Sequence, residues 1–192
     1  MKTQIKILRE IYVNDGIHAR AICRNLKLGM PSVKNSINKL SKLLTTEKTG
    51  RNIVYTIDYS KKDVIPYIYL IEYSRLNELP KKIQYAIFDY LHLLSNKPIL
   101  TIIFGSYAKG DYTQDSDLDL LLVFNSIDKE AEPKAKVISM RHNITLAPVY
   151  LDYKSFSSRF FDQKKKFFQD LKKDKVIVNG IEWWVELKNE EA

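Results

Sequence analysis

The chain has 192 residues, 45% of them hydrophobic and 28% charged, a make-up that excludes a disordered tail and leaves room for one generous core or two small ones. One cysteine, Cys23, excludes an intramolecular disulfide framework and a Cys-rich zinc site, which fits a reducing, cytoplasmic setting. The net charge of +8 is uneven: residues 1–60 hold eleven Lys/Arg against four Asp/Glu, a local +7 that leaves +1 for the remainder. Such a basic excess on one small region suggests a polyanion as its partner, with solubility alone as the other use of a basic surface. No signal segment opens the sequence, and the densest apolar stretch, Pro98 to Phe104, is far too short to span a bilayer, so a soluble protein with no membrane partner is expected.

The first element is a helix over Thr3–Asn14, where Ile5, Leu8 and Ile11 recur at helical spacing before Asp15-Gly16 ends it. A second helix from about Ile17 places Ala19, Ile22, Cys23 and Leu26 on one face, with Cys23 read as inert packing. Gly29 breaks it, and Pro31 suits the first turn of a third helix running to about Leu43. That helix buries Val33, Ile37 and Leu40 and sets Ser32, Asn35, Ser36 and Lys39 on an opposing stripe. Strands at Leu44–Thr46 and Asn52–Asp58 then flank a turn containing Gly50 and Arg51. The order resembles a winged helix-turn-helix over residues 1–60, which implies double-stranded DNA as partner, with Ser32, Lys34, Asn35, Ser36, Lys39 and Arg51 reaching it. Protein contact is the competing role for such a module.

Residues 61–79 form a connecting helix that is apolar on every side, expected to be buried between domains or between subunits of a homodimer. Pro80 opens the next helix, in which Ile83, Ala86, Ile87, Tyr90, Leu91 and Leu94 keep a spacing of three and four. A strand at Ile99–Phe104, a tight turn at Gly105–Gly110, a strand at Leu118–Phe124, a helix at Lys129–Arg141 and a strand at Ile144–Leu151 follow. A last helix begins near Tyr153, and short strands are expected at Val176–Val178 and Trp183–Leu187. The fold class is therefore α/β (α+β), with a small mixed sheet flanked by helices in residues 80–192.

The chemistry lies in the stretch from Thr101 to Phe124. An apolar strand delivers Gly105 and Ser106 to a helix N-terminus, where free N–H groups and the helix dipole favour a phosphate. The Ser106 hydroxyl adds a hydrogen bond, and Lys109 either adds charge or sits in solvent. Asp117 and Asp119, one residue apart at the head of a strand, project to the same face. Two carboxylates that close repel unless cations sit between them, and Mg²⁺ is a hard ion that takes carboxylate and phosphate oxygens together. A two-metal clamp of this kind steadies the attacking and leaving oxygens of an in-line displacement.

Gly105-Ser106, ten residues, then Asp117-x-Asp119 resembles the signature of the DNA polymerase β-like nucleotidyltransferases, especially the minimal kind. The resemblance covers about residues 80–180. It implies that Gly105, Ser106 and Lys109 bind the phosphates of ATP or another NTP, that Asp117 and Asp119 hold the metals, and that a third carboxylate stands on a later strand. Asp152 is the candidate for it, with helix capping as its equal alternative. Minimal transferases of this look include antitoxins that adenylylate a toxin, so AMP transfer to a hydroxyl of a partner protein is expected. An inactive regulator that only senses nucleotide or dimerises, and a transferase acting on nucleic acid, are the rivals. Lys164, Lys165 and Lys166 are read as the wet side of an amphipathic helix rather than as a polyphosphate patch, Trp183 and Trp184 as packing, and His18, His92 and His142 as no metal set.

Overall fold

In the computed structural model, which describes residues 2–162 and 164–191, the chain divides into two compact units. One comprises residues 2–71 with Lys188–Glu190, the other Glu72–Leu187 with Glu191. No helix among the described residues is long and apolar enough to cross a membrane.

In the first unit, α1 (Thr3–Val13) buries Ile7, Leu8, Ile11 and Tyr12, the stripe that its spacing predicts. The second helix starts later than expected, because Ile17–His18 form a short strand, β1, that pairs antiparallel with Tyr55 and Val54. Then come α2 (Ala19–Leu26), α3 (Met30–Leu40), a short 3₁₀ turn at Ser41–Leu43, β2 (Leu44–Thr49) and β3 (Asn52–Ile57). The strands form an antiparallel sheet in the order β1-β3-β2. The turn between β2 and β3 is only Gly50-Arg51, with Gly50 at φ +59, so β2 runs three residues further than expected, to Thr49, while β3 begins at Asn52 as expected and ends at Ile57. α3 turns Ser32, Lys34, Asn35 and Lys39 to solvent, and Arg51 is exposed as well. Ser36 corrects the expectation: it is buried beside Val33 and Ile37, one position from the buried ridge of α3, and cannot join the exposed stripe.

After a 3₁₀ turn at Lys62–Val64, α4 (Ile65–Glu78) buries Ile68, Ile71 and Leu76 but exposes Tyr69, Leu70 and Tyr73, so within the chain it is not enclosed on all sides. The second unit continues with α5 (Lys81–Leu93), β4 (Leu100–Ile103), α6 (Gly105–Lys109) and β5 (Leu118–Phe124). α7 (Ala131–His142), β6 (Leu146–Asp152), α8 (Tyr153–Phe160), α9 (Lys166–Lys173), β7 (Val176–Asn179) and α10 (Ile181–Glu191) complete it. The sheet order is β6-β5-β4-β7, with β5 and β6 parallel and the other pairs antiparallel. Strand alternation divides the core. Leu118, Leu120, Leu122 and Phe124 face the cluster built by α5 and α7, including Ile83, Ile87, Tyr90 and Ile138. Asp119, Leu121 and Val123 alternate to the other face, where α8 packs against β5 and β6.

Two expectations fail in the last third. Residues 153–173 are two helices, because the Asp162 side chain accepts the Lys164 N–H at 3.0 Å and its carbonyl accepts the Lys165 N–H at 3.1 Å, a turn that interrupts the helix. Trp183–Leu187 is helical, not a strand: Ile181, Trp184, Val185 and Leu187 are buried at helical intervals, and Trp184 meets the edge of Phe160 at 5.3 Å. Trp183 packs edge-on against Tyr153 instead of facing an interface.

Candidate active site

The pairing of β4 with β5 ends at Ile103↔Leu120, and the Phe104 N–H then donates to the Asp119 carbonyl at 3.1 Å. The chain leaving β4 is thus bent beside Asp119. Gly105 follows at φ +67, in the left-handed region that favours glycine. A Cβ there would lie 2.0 Å from Asp119 Oδ2, so the absent side chain and the carboxylate share one space. This contact joins the two halves of the motif, twelve residues apart in sequence, into one site.

α6 has only five residues, so its dipole is small, and the cradle rests on the N–H groups of Gly105, Ser106 and Tyr107, which have no acceptor within the helix. Lys109 is exposed at the far end of α6, before the left-handed Gly110 cap. Sequence reasoning missed what holds this turn. Tyr107 is buried and its ring stacks on Tyr112 at 4.5 Å, while the Thr113 N–H donates to Ser116 Oγ at 2.8 Å and closes the loop ahead of Asp117. Two tyrosines five residues apart are the only sign of it in the sequence.

Asp117 is exposed just before β5, and Asp119 is half-buried as its second residue. Burial pushes the Asp119 carboxyl above the usual carboxylate range, and the charge of Asp117 adds to the rise. A cation between them removes both penalties. The donor set, two carboxylates beside a phosphate cradle, fits a hard divalent ion that takes its remaining ligands from phosphate oxygens and water. Among the described residues no group of three His, Cys, Asp or Glu side chains is placed to hold a metal ion.

Asp152 is not brought to this pair. In the parallel β5–β6 register Asp119 lies level with Ala147, whereas Asp152 lies level with Phe124, five residues further on and roughly 16 Å away. Asp152 also alternates with Tyr150, whose hydroxyl lies 2.9 Å from that of Tyr90 on the α5 side of the sheet, opposite to Asp119. Its carboxylate accepts the Ser155 N–H at 2.8 Å and the Ser155 hydroxyl at 2.7 Å, capping α8. These bonds hold its carboxyl below the usual range. The expected third carboxylate is therefore a helix cap in this fold, and the position level with Asp119 is an alanine.

Fold and motif together define a nucleotidyltransferase site, and comparison with known proteins names the family. The family model described as nucleotidyltransferase domain matches residues 87–189, over half of the chain. The chain belongs to this family, and it is a nucleotidyltransferase enzyme. A Methanocaldococcus jannaschii protein whose name assigns it protein adenylyltransferase activity is 31% identical over 85 residues, 41% of this chain and 84% of the relative. A second protein so named from the same organism is 68% identical over 22 residues, 12% of this chain and 22% of the relative. A toxin–antitoxin crystal structure with AMP-PNP is 20% identical over 56% of this chain and 81% of its own, with a TM-score of 0.41.

Proposed function

We propose that the chain transfers AMP from ATP to a hydroxyl of a partner protein, in the manner of an antitoxin that modifies its toxin. The observation that carries the site is the contact between the Gly105 position and the Asp119 carboxylate. In the proposed reaction the acceptor oxygen bonds to the α-phosphorus, the α–β phosphoanhydride bond breaks, pyrophosphate leaves and the hydroxyl proton passes to solvent. Gly105, Ser106 and Tyr107 hold phosphate oxygens through their N–H groups, with Lys109 at the outer end of the same turn. Asp117 and Asp119 hold Mg²⁺, which when bound neutralises the charge that develops on the transferring phosphate. Asp152 is assigned a structural role only.

The names of the Methanocaldococcus relatives support a protein acceptor. So does the charge distribution: residues 61–192 total only +1, and the cluster from Arg159 to Lys166 that this sum conceals is a short local patch, whereas a transferase working on a long nucleic acid needs a basic track along many phosphates. Residues 1–60 are assigned as a winged helix-turn-helix that binds double-stranded DNA through Ser32, Lys34, Asn35, Lys39 and Arg51. The support is their exposure and the local charge of +7. Exposed Leu70 and Tyr73 suit α4 to self-association as a homodimer, to be checked by light scattering.

Incubation with α-³²P-ATP, Mg²⁺ and the product of the neighbouring gene tests the main reading: label is expected on that protein and is lost in Asp117→Asn and Asp119→Asn. Label on RNA ends alone would reject the protein acceptor. Ala147, level with Asp119, favours a second reading, a DNA-binding regulator whose transferase site binds nucleotide without turnover. A wild type that binds ATP but is silent, with transfer appearing in Ala147→Asp, would establish that reading.

A further inference from the structure

The residues that read as the wet side of a helix do something else in the fold. Arg159, Lys164, Lys165 and Lys166 ring a cavity of about 560 Å³ whose floor is Val149 and Leu151. The register Leu121↔Val149 and Val123↔Leu151 puts this floor on the sheet face that carries Asp119. Val149 is two residues along β6 from Ala147, so the floor begins roughly 7 Å from the level of Asp119. Phe167, another wall of the cavity, meets the ring of Phe104 edge-on at 5.2 Å, and Phe104 immediately precedes Gly105. The cavity therefore neighbours the cradle across the Phe104–Phe167 ring contact, while its own lining includes none of Gly105, Ser106, Asp117 and Asp119.

Its position across the sheet is informative. The cradle follows β4, the Asp119 carboxylate belongs to β5, and the floor belongs to β6, the edge strand of this sheet among the described residues. In-line displacement needs the leaving group and the nucleophile on opposite sides of the phosphorus. With the triphosphate on the β4 flank of Asp119, the nucleophile approaches from the β6 flank, where this cavity lies. The charge there is also local: four cations between Arg159 and Lys166 face one acid, Asp162, whose carboxylate is engaged by the Lys164 N–H. Val149, 38% exposed, and Leu151 offer an aliphatic seat for one apolar side chain beside the ring of Phe167.

We propose that this groove docks the segment of the protein acceptor that carries the hydroxyl. The segment is acidic, with its carboxylates on Arg159 and the three lysines and an apolar side chain on Val149 and Leu151. The inference rests on the protein-acceptor reading above and adds the acceptor's chemistry to it.

The test uses the full chain, Mg²⁺ and α-³²P-ATP with three probes: a random glutamate–tyrosine copolymer, a lysine–tyrosine copolymer and a short RNA. Label is expected on the glutamate–tyrosine copolymer and not on the lysine–tyrosine one. Reversing the rim with Lys164→Glu, Lys165→Glu and Lys166→Glu is expected to raise KM for the acidic copolymer by about tenfold or more while leaving the affinity for a fluorescent ATP analogue unchanged. Val149→Glu, a change at an exposed position that leaves every lysine in place, is expected to act in the same direction, with circular dichroism confirming the fold of both variants. Equal labelling of the two copolymers, or no labelling of either, overturns the groove. Weakened binding of the ATP analogue in the rim variant also overturns it, by giving the cavity to the nucleotide. Label confined to RNA overturns the groove and the protein-acceptor reading together, whereas label on the lysine–tyrosine copolymer removes the groove and leaves that reading standing.

Discussion

Gly105→Ala separates two demands made on one residue. Alanine at φ +67 costs about 1–2 kcal/mol from backbone strain alone. Its methyl group would also stand 2.0 Å from Asp119 Oδ2. Ordinary contact begins near 3.4 Å, so the oxygen must give way by roughly 1.4 Å. A short side chain can rotate that far at little cost in stability, and the rotation carries the carboxylate away from the cradle. A misplacement of about 1 Å lowers a rate on the order of 100-fold, so transfer should fall at least that much while the melting temperature drops only by what the backbone term predicts. Gly110→Ala supplies the control. Gly110 has φ +83 and nothing within 4 Å of a built Cβ, so it pays the same backbone term and touches no catalytic group. Parallel thermal melts and single-turnover transfer assays on the two variants make the comparison. If Gly105→Ala keeps transfer within a few-fold of wild type, or if Gly110→Ala loses as much, the contact with Asp119 is not what makes the glycine necessary.

Gly180→Ala should be worse for folding than either variant, since a Cβ at φ +84 would lie 2.1 Å from the Ile99 carbonyl oxygen and 2.8 Å from Leu100 Cα, backbone that cannot rotate aside. The backbone term of about 1–2 kcal/mol is then joined by overpacking of about 1–3 kcal/mol, readable by urea denaturation. Asp152→Ala removes the α8 cap, so a small fall in melting temperature with transfer within twofold of wild type is expected; a deep loss of turnover in a folded variant would return Asp152 to the catalytic set. Asp128 accepts the N–H groups of Ser95 at 2.7 Å and Glu130 at 3.0 Å and pairs with Lys134 at 3.3 Å. Burial raises its carboxyl pKa, but these bonds outweigh that and hold it below the usual range. Its stabilisation is therefore present above the ordinary aspartate pKa and lost as pH falls through the lowered one. Melts of wild type and Asp128→Ala should differ at pH 7 and converge in strong acid, and a gap independent of pH would count against the charge.

The elements that were legible in sequence are those whose pattern is local. β5 was expected at Leu118–Phe124 and lies there, because seven residues with leucine, valine and phenylalanine on both faces have no competing period. α5 kept its three-and-four spacing for the same reason. The Asp117-x-Asp119 spacing is legible locally, but Asp117 lies just before β5 rather than within it, so strand alternation accounts only for Asp119. What failed depended on partners far away in sequence. Ile17–His18 becomes a strand only because β3 offers it an edge, Trp183 and Trp184 are helical because Phe160 and Tyr153 receive them, and Asp152 is placed by a register with β5 that no local pattern encodes. Ser36 shows a smaller failure, in which one residue of a polar stripe borders the buried ridge closely enough to be covered.

The raised pKa of Asp119 gives the site a direction. A half-buried carboxylate pushed up by burial and by Asp117 stands against the position of Gly105, where the cradle begins. The N–H groups at the start of α6 favour a polyanion, but the two carboxylates beside them repel one, so in the proposed reaction the nucleotide would meet opposing fields separated by a few ångströms. A divalent cation between carboxylate and phosphate reverses the sign of that second field. Cation and nucleotide are therefore expected to bind as a coupled pair, each raising the affinity for the other by the same factor. On the proposed reading, with the phosphates on the β4 flank, Ala147 places no carboxylate on the β6 flank, the edge of the sheet that also carries Val149 and Leu151.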